Sequence, residues 1–199
     1  MARWAPATEE RLQQAAMELF ITRGFDQVTA AQIAEAAGTT ERTFFRYFAD
    51  KRDVLFQRQD AVVQAFVDGI HRAPASATPM QLVTAAVHSG AEIFPNDHRD
   101  NARTRQGIIA SNPALLERER HKSAAIANGV SQALRERGLD DATAVLAGES
   151  AVTIFHLALT RWLDDAASRP LPVIAGEIAH LFAGLASGIR ITHSGDDSR

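Results

Sequence analysis

The sequence predicts an all-α protein. Apolar residues recur at i, i+3, i+4 and i+7 along most of the 199 residues, no stretch alternates convincingly at strand period, and glycines or prolines punctuate the ends of the periodic runs. Apolar residues make up 46% and charged residues 23%, an ordinary globular balance with material for a packed core. The absence of cysteine excludes a disulfide framework, a thiolate zinc site and a cysteine nucleophile, and fits a reducing compartment. There is no run of about 18 uncharged apolar residues and no apolar core in the first ten residues, so neither a membrane span nor a signal peptide is expected and the predicted location is cytoplasmic.

The first helix covers 8–23, with Leu12, Ala15, Ala16, Leu19 and Phe20 on one stripe, Thr8 as the expected N-cap and Gly24 as the stop. Thr29-Ala-Ala-Gln32 is a capping box opening a short helix that carries Ile33, Ala36 and Ala37 inward and ends at Gly38. A second short helix runs from about Thr40 to Phe48. Asp50 then caps a long helix through Val54, Leu55, Val62, Val63, Phe66, Val67 and Ile70. After a loop with two prolines at 72–79, five further helices are predicted at about 80–94, 98–110, 113–137, 140–165 and 171–191, and the polar tail 192–199 reads as disordered. The expectation is about nine helices, with 1–55 as one domain and 56–199 as another.

Segment 29–51 carries the chemistry. Two short helices separated by a Gly-containing turn form a helix-turn-helix pattern, whose second helix enters the DNA major groove. On that helix Phe44 and Phe48 share a face that can be buried, which turns Glu41, Arg42, Phe45 and Arg46 outward. Arginine forks to guanine O6 and N7, and an aromatic edge can meet a thymine methyl. Thr29, Thr40, Thr43, Tyr47 and Lys51 supply flanking hydroxyls and a cation suited to phosphates. The net charge of −3 argues mildly against a polyanionic partner. The local field decides, however, and across 41–58 the cations Arg42, Arg46, Lys51, Arg52 and Arg58 outnumber Glu41, Asp50 and Asp53. Arg3 on the N-terminal arm is a weaker candidate for the minor groove.

Residues 8–56 resemble the TetR family of bacterial transcriptional regulators, through Leu19-Phe-Ile-Thr-Arg-Gly-Phe25, Val28-Thr29, Ile33-Ala-Glu-Ala-Ala-Gly38, Thr43-Phe-Phe-Arg-Tyr-Phe48 and Lys51. The resemblance implies a homodimer that binds double-stranded DNA through the N-terminal domain and a small-molecule effector through the C-terminal one. It implies phosphate contacts from Thr29, Tyr47 and Lys51 and base-facing roles near Glu41, Arg42, Phe45 and Arg46. The chain departs from the family pattern in three places. Phe45 replaces the usual Tyr, Ala31 stands where an arginine often reads a base, and Glu41 brings a negative charge to the groove.

In the C-terminal half, helices 140–165 and 171–191 are apolar on more than one stripe, which suggests a two-fold four-helix-bundle interface. The predicted interface residues are Val145, Val152, Leu159, Ile178, Leu181, Phe182, Leu185 and Ile189, with Ala175, Ala179, Gly184 and Gly188 permitting close approach. Candidate effector contacts are Phe66, Met80, Val87, His88, Arg105, Ile126, Phe155, His156 and Trp162. The seven histidines show no metal-ligand spacing, Ser111, Ser123 and Ser150 lack a nucleophile elbow, and no glycine-rich phosphate loop is present. The expectation is therefore a regulator that relieves repression on binding a small molecule, with no enzymatic activity, cofactor or metal. An effector-independent regulator, an activator, and an all-helical enzyme or carrier remain compatible with the sequence.

Overall fold

A computed structural model describes residues 5–57 and 59–186, and all its described secondary structure is helical. In chain order the helices are α1 (Ala5–Arg23), α2 (Ala30–Ala36), α3 (Glu41–Tyr47), α4 (Asp53–Phe56), α5 (Gln59–Arg72), α6 (Pro79–Ala91), a 3-10 turn (Asn96–His98), α7 (Arg99–Ala110), α8 (Pro113–Glu136), α9 (Asp141–Asp164) and α10 (Leu171–Ala186). That makes ten α-helices among the described residues where about nine were expected.

The additional helix comes from a break. The predicted long helix after Asp50 stops at Phe56, because Gln57 is extended (φ −56°, ψ 155°). Its side-chain amide donates to Glu9 at 2.7 Å and accepts from Gln13, both on α1. Lys51 and Arg52 lie in the turn before α4, and Asp50 accepts from the backbone N–H groups of Arg52 and Asp53. Thr8 lies inside α1 and does not cap it, since a proline at position 6 is tolerated in a first turn.

The described chain forms two compact units. The first contains residues up to Gln64 together with Asp97–Ile126, and the second contains Ala65–Asn96 and residues from Ala127 onward; α5 and α8 contribute to both. The core of the first unit joins Leu12, Ala16 and Phe20 of α1, Val28, Ile33 of α2, Phe44 and Phe48 of α3, Val54 to Phe56 of α4, Ile108 and Ile109 of α7 and Leu115 of α8.

In the second unit α6 packs on α9 and α10. Phe155 is the hub of an aromatic cluster with Phe66 and Phe94 at centroid distances of 5.2 and 5.6 Å. Close approach is required at Gly90, where a Cβ would stand 2.0 Å from the Phe66 ring. Trp162 is fully buried, its indole N–H donates to Asn96 Oδ1 at 2.9 Å, and Asn96 Nδ2 donates to the Ser168 carbonyl. By length and composition α9 is the one described helix that could cross a membrane, but half of its apolar window is buried inside the unit. Ile189, Gly188, Arg3, Arg58 and the tail 192–199 lie outside the described residues.

Candidate nucleic-acid interface

The α2–α3 pair is built from local signals. Thr29 Oγ1 accepts from the Gln32 backbone N–H at 3.2 Å while the Gln32 side chain accepts from the Thr29 N–H at 2.9 Å, so the capping box is closed. Gly38 takes φ +66°, a left-handed conformation that favours glycine, and turns the chain into α3. Thr40 caps α3 by accepting from the Thr43 N–H, and the two hydroxyls share a 3.0 Å hydrogen bond.

The inward face of α3 is fixed by Phe44 and Phe48, both buried, with ring centroids 5.1 Å apart. Glu41, Arg42, Phe45 and Arg46 are consequently exposed. Arg42 makes no hydrogen bond or ion pair among the described residues and is free to reach a ligand. Arg46 stacks on Tyr47 with its guanidinium carbon 5.0 Å from the ring centroid and donates to the phenolic oxygen at 3.3 Å. Phe45 remains 52% exposed and is oriented by an edge contact with Phe44 (5.4 Å, 90°). Thr29 uses its oxygen as an acceptor, which leaves its hydroxyl proton available to a phosphate.

Lys51 requires a correction. Its ammonium donates to the carbonyls of Phe25 (2.8 Å), Asp26 (3.3 Å) and Val28 (2.9 Å), and it lies 4.5 Å from the centre of the Phe25 ring. An ammonium has three protons, and all three are engaged. The residue clips the α3–α4 turn to the α1–α2 turn, and this arrangement leaves no proton for a phosphate. Lys51→Met is expected to destabilise the first unit by about 2–3 kcal/mol, because three carbonyls, two of them in part-buried hydrogen bonds, lose a charged donor. Chemical denaturation followed by circular dichroism checks this, and an unchanged midpoint refutes it.

The candidate effector residues are divided between the two units. Phe66, Val87, Phe155 and Trp162 are buried core of the second unit, Met80 is half-buried, and His88 and His156 are exposed. Ile126 and Arg105 belong to the first unit. The Arg105 guanidinium donates to the Leu55 carbonyl and to Glu119. The second unit has an open groove of about 760 Å³ along α5, α6 and the intervening loop, which His88 lines together with Arg72, Gln81, Thr84 and Ser89. No apolar stripe in the sequence points to this groove, because its lining residues are either small or polar.

The outward apolar face of α9 and α10 also differs from the prediction. Val145, Leu181 and Leu185 are exposed as expected, and Leu159, Ile178 and Phe182 are half-buried. Val152 is buried within its own unit, as are Ala175 and Ala179, so they are unavailable to a partner. Leu146, Leu157 and Val173 are exposed in their place. Leu146 and Leu157 are eleven residues apart, three turns on one face.

Residues 12–57 match the family described as "Bacterial regulatory proteins, tetR family", and residues 77–186 match the "MftR C-terminal domain". Among curated proteins, the chain is similar to the HTH-type transcriptional regulator TcmR of Streptomyces glaucescens, with 38% identity over 79 residues, 40% of this chain and 35% of TcmR. It is also similar to the regulator MftR of Mycobacterium tuberculosis, with 38% identity over 66 residues, 32% of this chain and 33% of MftR. Each match spans about a third of the curated relative. Among solved structures, the FadR repressor of Thermus thermophilus in complex with lauroyl-CoA aligns over 96% of this chain and 100% of its own at a TM-score of 0.54 and 23% identity. The FadR of Bacillus subtilis in complex with stearoyl-CoA aligns over 91% and 99% at a TM-score of 0.62 and 20% identity. These two likenesses concern the fold.

Proposed function

Since the chain belongs to the tetR family of bacterial regulatory proteins, we propose that it is a sequence-specific transcriptional regulator, a homodimer that represses from a palindromic operator until a small molecule releases it. The observation that carries the reading is α3. One face is locked by Phe44 and Phe48, and the opposite face presents Arg42, Phe45 and Arg46 to solvent on a helix short enough to lie in a groove. Residues 1–55 act as the DNA-binding domain and 56–199 as the effector-binding and dimerisation domain of a cytoplasmic protein with no enzymatic step. Thr29, Thr40, Thr43 and Tyr47 contact phosphates, Arg42, Phe45 and Arg46 face bases, and Glu41 accepts from a cytosine N4 or points away. Two recognition helices in a dimer fit half-sites about 34–36 Å apart. Helices α5 and α8 contribute to both units and are the covalent route by which an effector shifts that spacing. A 100-fold release requires the effector to prefer the released state by about 2.7 kcal/mol. The acyl-CoA molecules held by the two FadR neighbours are the first ligands to try.

Selection of bound duplexes from a random pool tests the reading, and recovery of no palindromic site refutes it. On the selected operator, Arg42→Ala is expected to cost about 1–3 kcal/mol per half-site and to relax preference at one position. Replacing thymine by uracil at the positions facing Phe45 is expected to weaken wild-type binding and to leave Phe45→Ala indifferent. Equal sensitivity in both proteins removes Phe45 from the base-reading set. With about eight phosphates covered by the dimer, log affinity falls against log salt with a slope near −7.

A further inference from the structure

We propose that Lys122 and Arg105 form a receptor for an anionic group, a carboxylate or a phosphate, beside α4 in the first unit. The regulatory consequence of this site rests on the ligand-released reading above, but the site itself does not.

Lys122 lies on α8 with its side chain only 13% exposed. Its ammonium makes no hydrogen bond among the described residues, and its nearest carboxylate oxygen, Oε1 of Glu119, is 4.0 Å away. That carboxylate already accepts from Arg105 Nη2 at 2.9 Å through its other oxygen. Two cations therefore share one anion in a largely desolvated place. Burial first, and the Arg105 charge second, push the Lys122 ammonium down to about 8, with Glu119 opposing them. A buried ammonium in this condition is costly to the fold, and a buried cation short of acceptors is completed by an oxyanion.

The neighbouring groups make the site consequential. Arg105 Nε donates to the carbonyl of Leu55 at 2.5 Å, and the Arg105 and Arg118 guanidiniums both pack on the Phe56 ring, at 5.2 and 5.1 Å from its centroid. Arg118 also holds Asp53. The charged groups that act on Lys122 are thus Arg105 on α7 and Glu119 on α8, with the Arg118–Asp53 pair joined to them through the Phe56 ring. The four-residue α4 directly follows the turn from α3. An oxyanion that draws Arg105 toward Lys122 competes with the Leu55 carbonyl and with Glu119, and so loosens the grip of α7 on α4. Ligand charge is read within the first unit itself.

The test is calorimetric titration of the full chain near pH 8 in two buffers of different ionisation heat. The probes are sodium laurate, lauroyl-CoA and inorganic phosphate, with dodecanol as the uncharged control. The wild type is expected to bind at least one anionic probe with proton uptake, because the bound anion raises Lys122 from its depressed value. Laurate alone identifies a carboxylate as the preferred group, whereas lauroyl-CoA or phosphate identifies a phosphate. Lys122→Met is expected to lose about tenfold or more in affinity together with the proton uptake, and Lys122→Arg to keep the affinity without the uptake. Lys122→Met should unfold at a higher temperature than the wild type near pH 7, which separates lost binding from lost folding. Failure of every anionic probe, equal binding by dodecanol, or an unchanged Lys122→Met overturns the proposal. Operator binding in the same samples separates the two readings. A chain that binds its selected duplex but no anion sinks only this inference, and one that binds an anion but no duplex sinks only the regulator reading.

Discussion

Phe44→Ala is expected to destabilise the first unit by about 3–5 kcal/mol, a large share of the stability of a small helical unit. The ring is fully buried, stacks with Phe48, and stands where α3 meets α1 and α2. Its removal leaves a cavity that short helices cannot close without rotating α3, and Phe45, which leans edge-on against Phe44, loses its support. Stability and operator affinity should therefore fall together. Hydrogen exchange provides the sharpest readout: amides of α2 and α3 should lose protection in the variant. Phe45→Ala serves as the comparison. Phe45 is half exposed, so its truncation should lower operator affinity while leaving unfolding within about 0.5 kcal/mol of wild type. A Phe44→Ala protein with unchanged protection in α2 and α3 contradicts the assignment of that face as the lock.

The features legible in the sequence were those encoded by neighbours in the chain. The Thr29–Gln32 box, the Gly38 turn and the pairing of Phe44 with Phe48 each depend on residues three or four apart, and each appears in the structure. Lys51 was misread because a lysine in a basic stretch beside a helix-turn-helix looks like a phosphate contact, whereas its acceptors lie 23 to 26 residues earlier in the chain. The break at Gln57 was hidden for a similar reason. Apolar periodicity continues through it, and the amide's partners are Glu9 and Gln13 on another helix. The groove along α5 and α6 left no apolar trace, because the stripe that lines it on α6, Gln81, Thr84, Ala85, His88, Ser89 and Glu92, is small or polar. Nothing in the chain order marks Lys122 as buried, since the segment Glu117-Arg-Glu-Arg-His-Lys122 reads as a solvated face. Only packing distinguishes it from its exposed neighbours Arg120 and His121.

Leu157→Arg combined with Leu181→Arg is expected to convert the protein to a monomer and to reduce operator affinity by more than about 100-fold. Both positions are more than half exposed in the folded chain, at 55% and 52%, so the arginines should be accepted by the protomer with little loss of stability. A two-fold interface doubles every substitution, so four cations would enter an apolar surface, and Glu177, the carboxylate one turn before Leu181, is already paired with Arg169. Leu146, Val173 and Leu185, also exposed on α9 and α10, supply that apolar surface, and no acidic residue interrupts the line from Leu181 to Leu185. Operator affinity follows because each protomer carries only two outward arginines on α3. Half a palindrome offers too few contacts for one subunit, and tethering two reading heads supplies the remainder through effective concentration. Analytical ultracentrifugation should report the protomer mass, and the same sample should give the wild-type helical signal and an unchanged unfolding midpoint. Val152→Arg is the counter-test. That side chain is buried in its own unit, so the substitution should unfold the second unit instead of only dissociating it. A double variant that still sediments as a dimer, or a Val152→Arg protein that stays folded as a monomer, places the contact surface on the line of Val145, Val152 and Leu159.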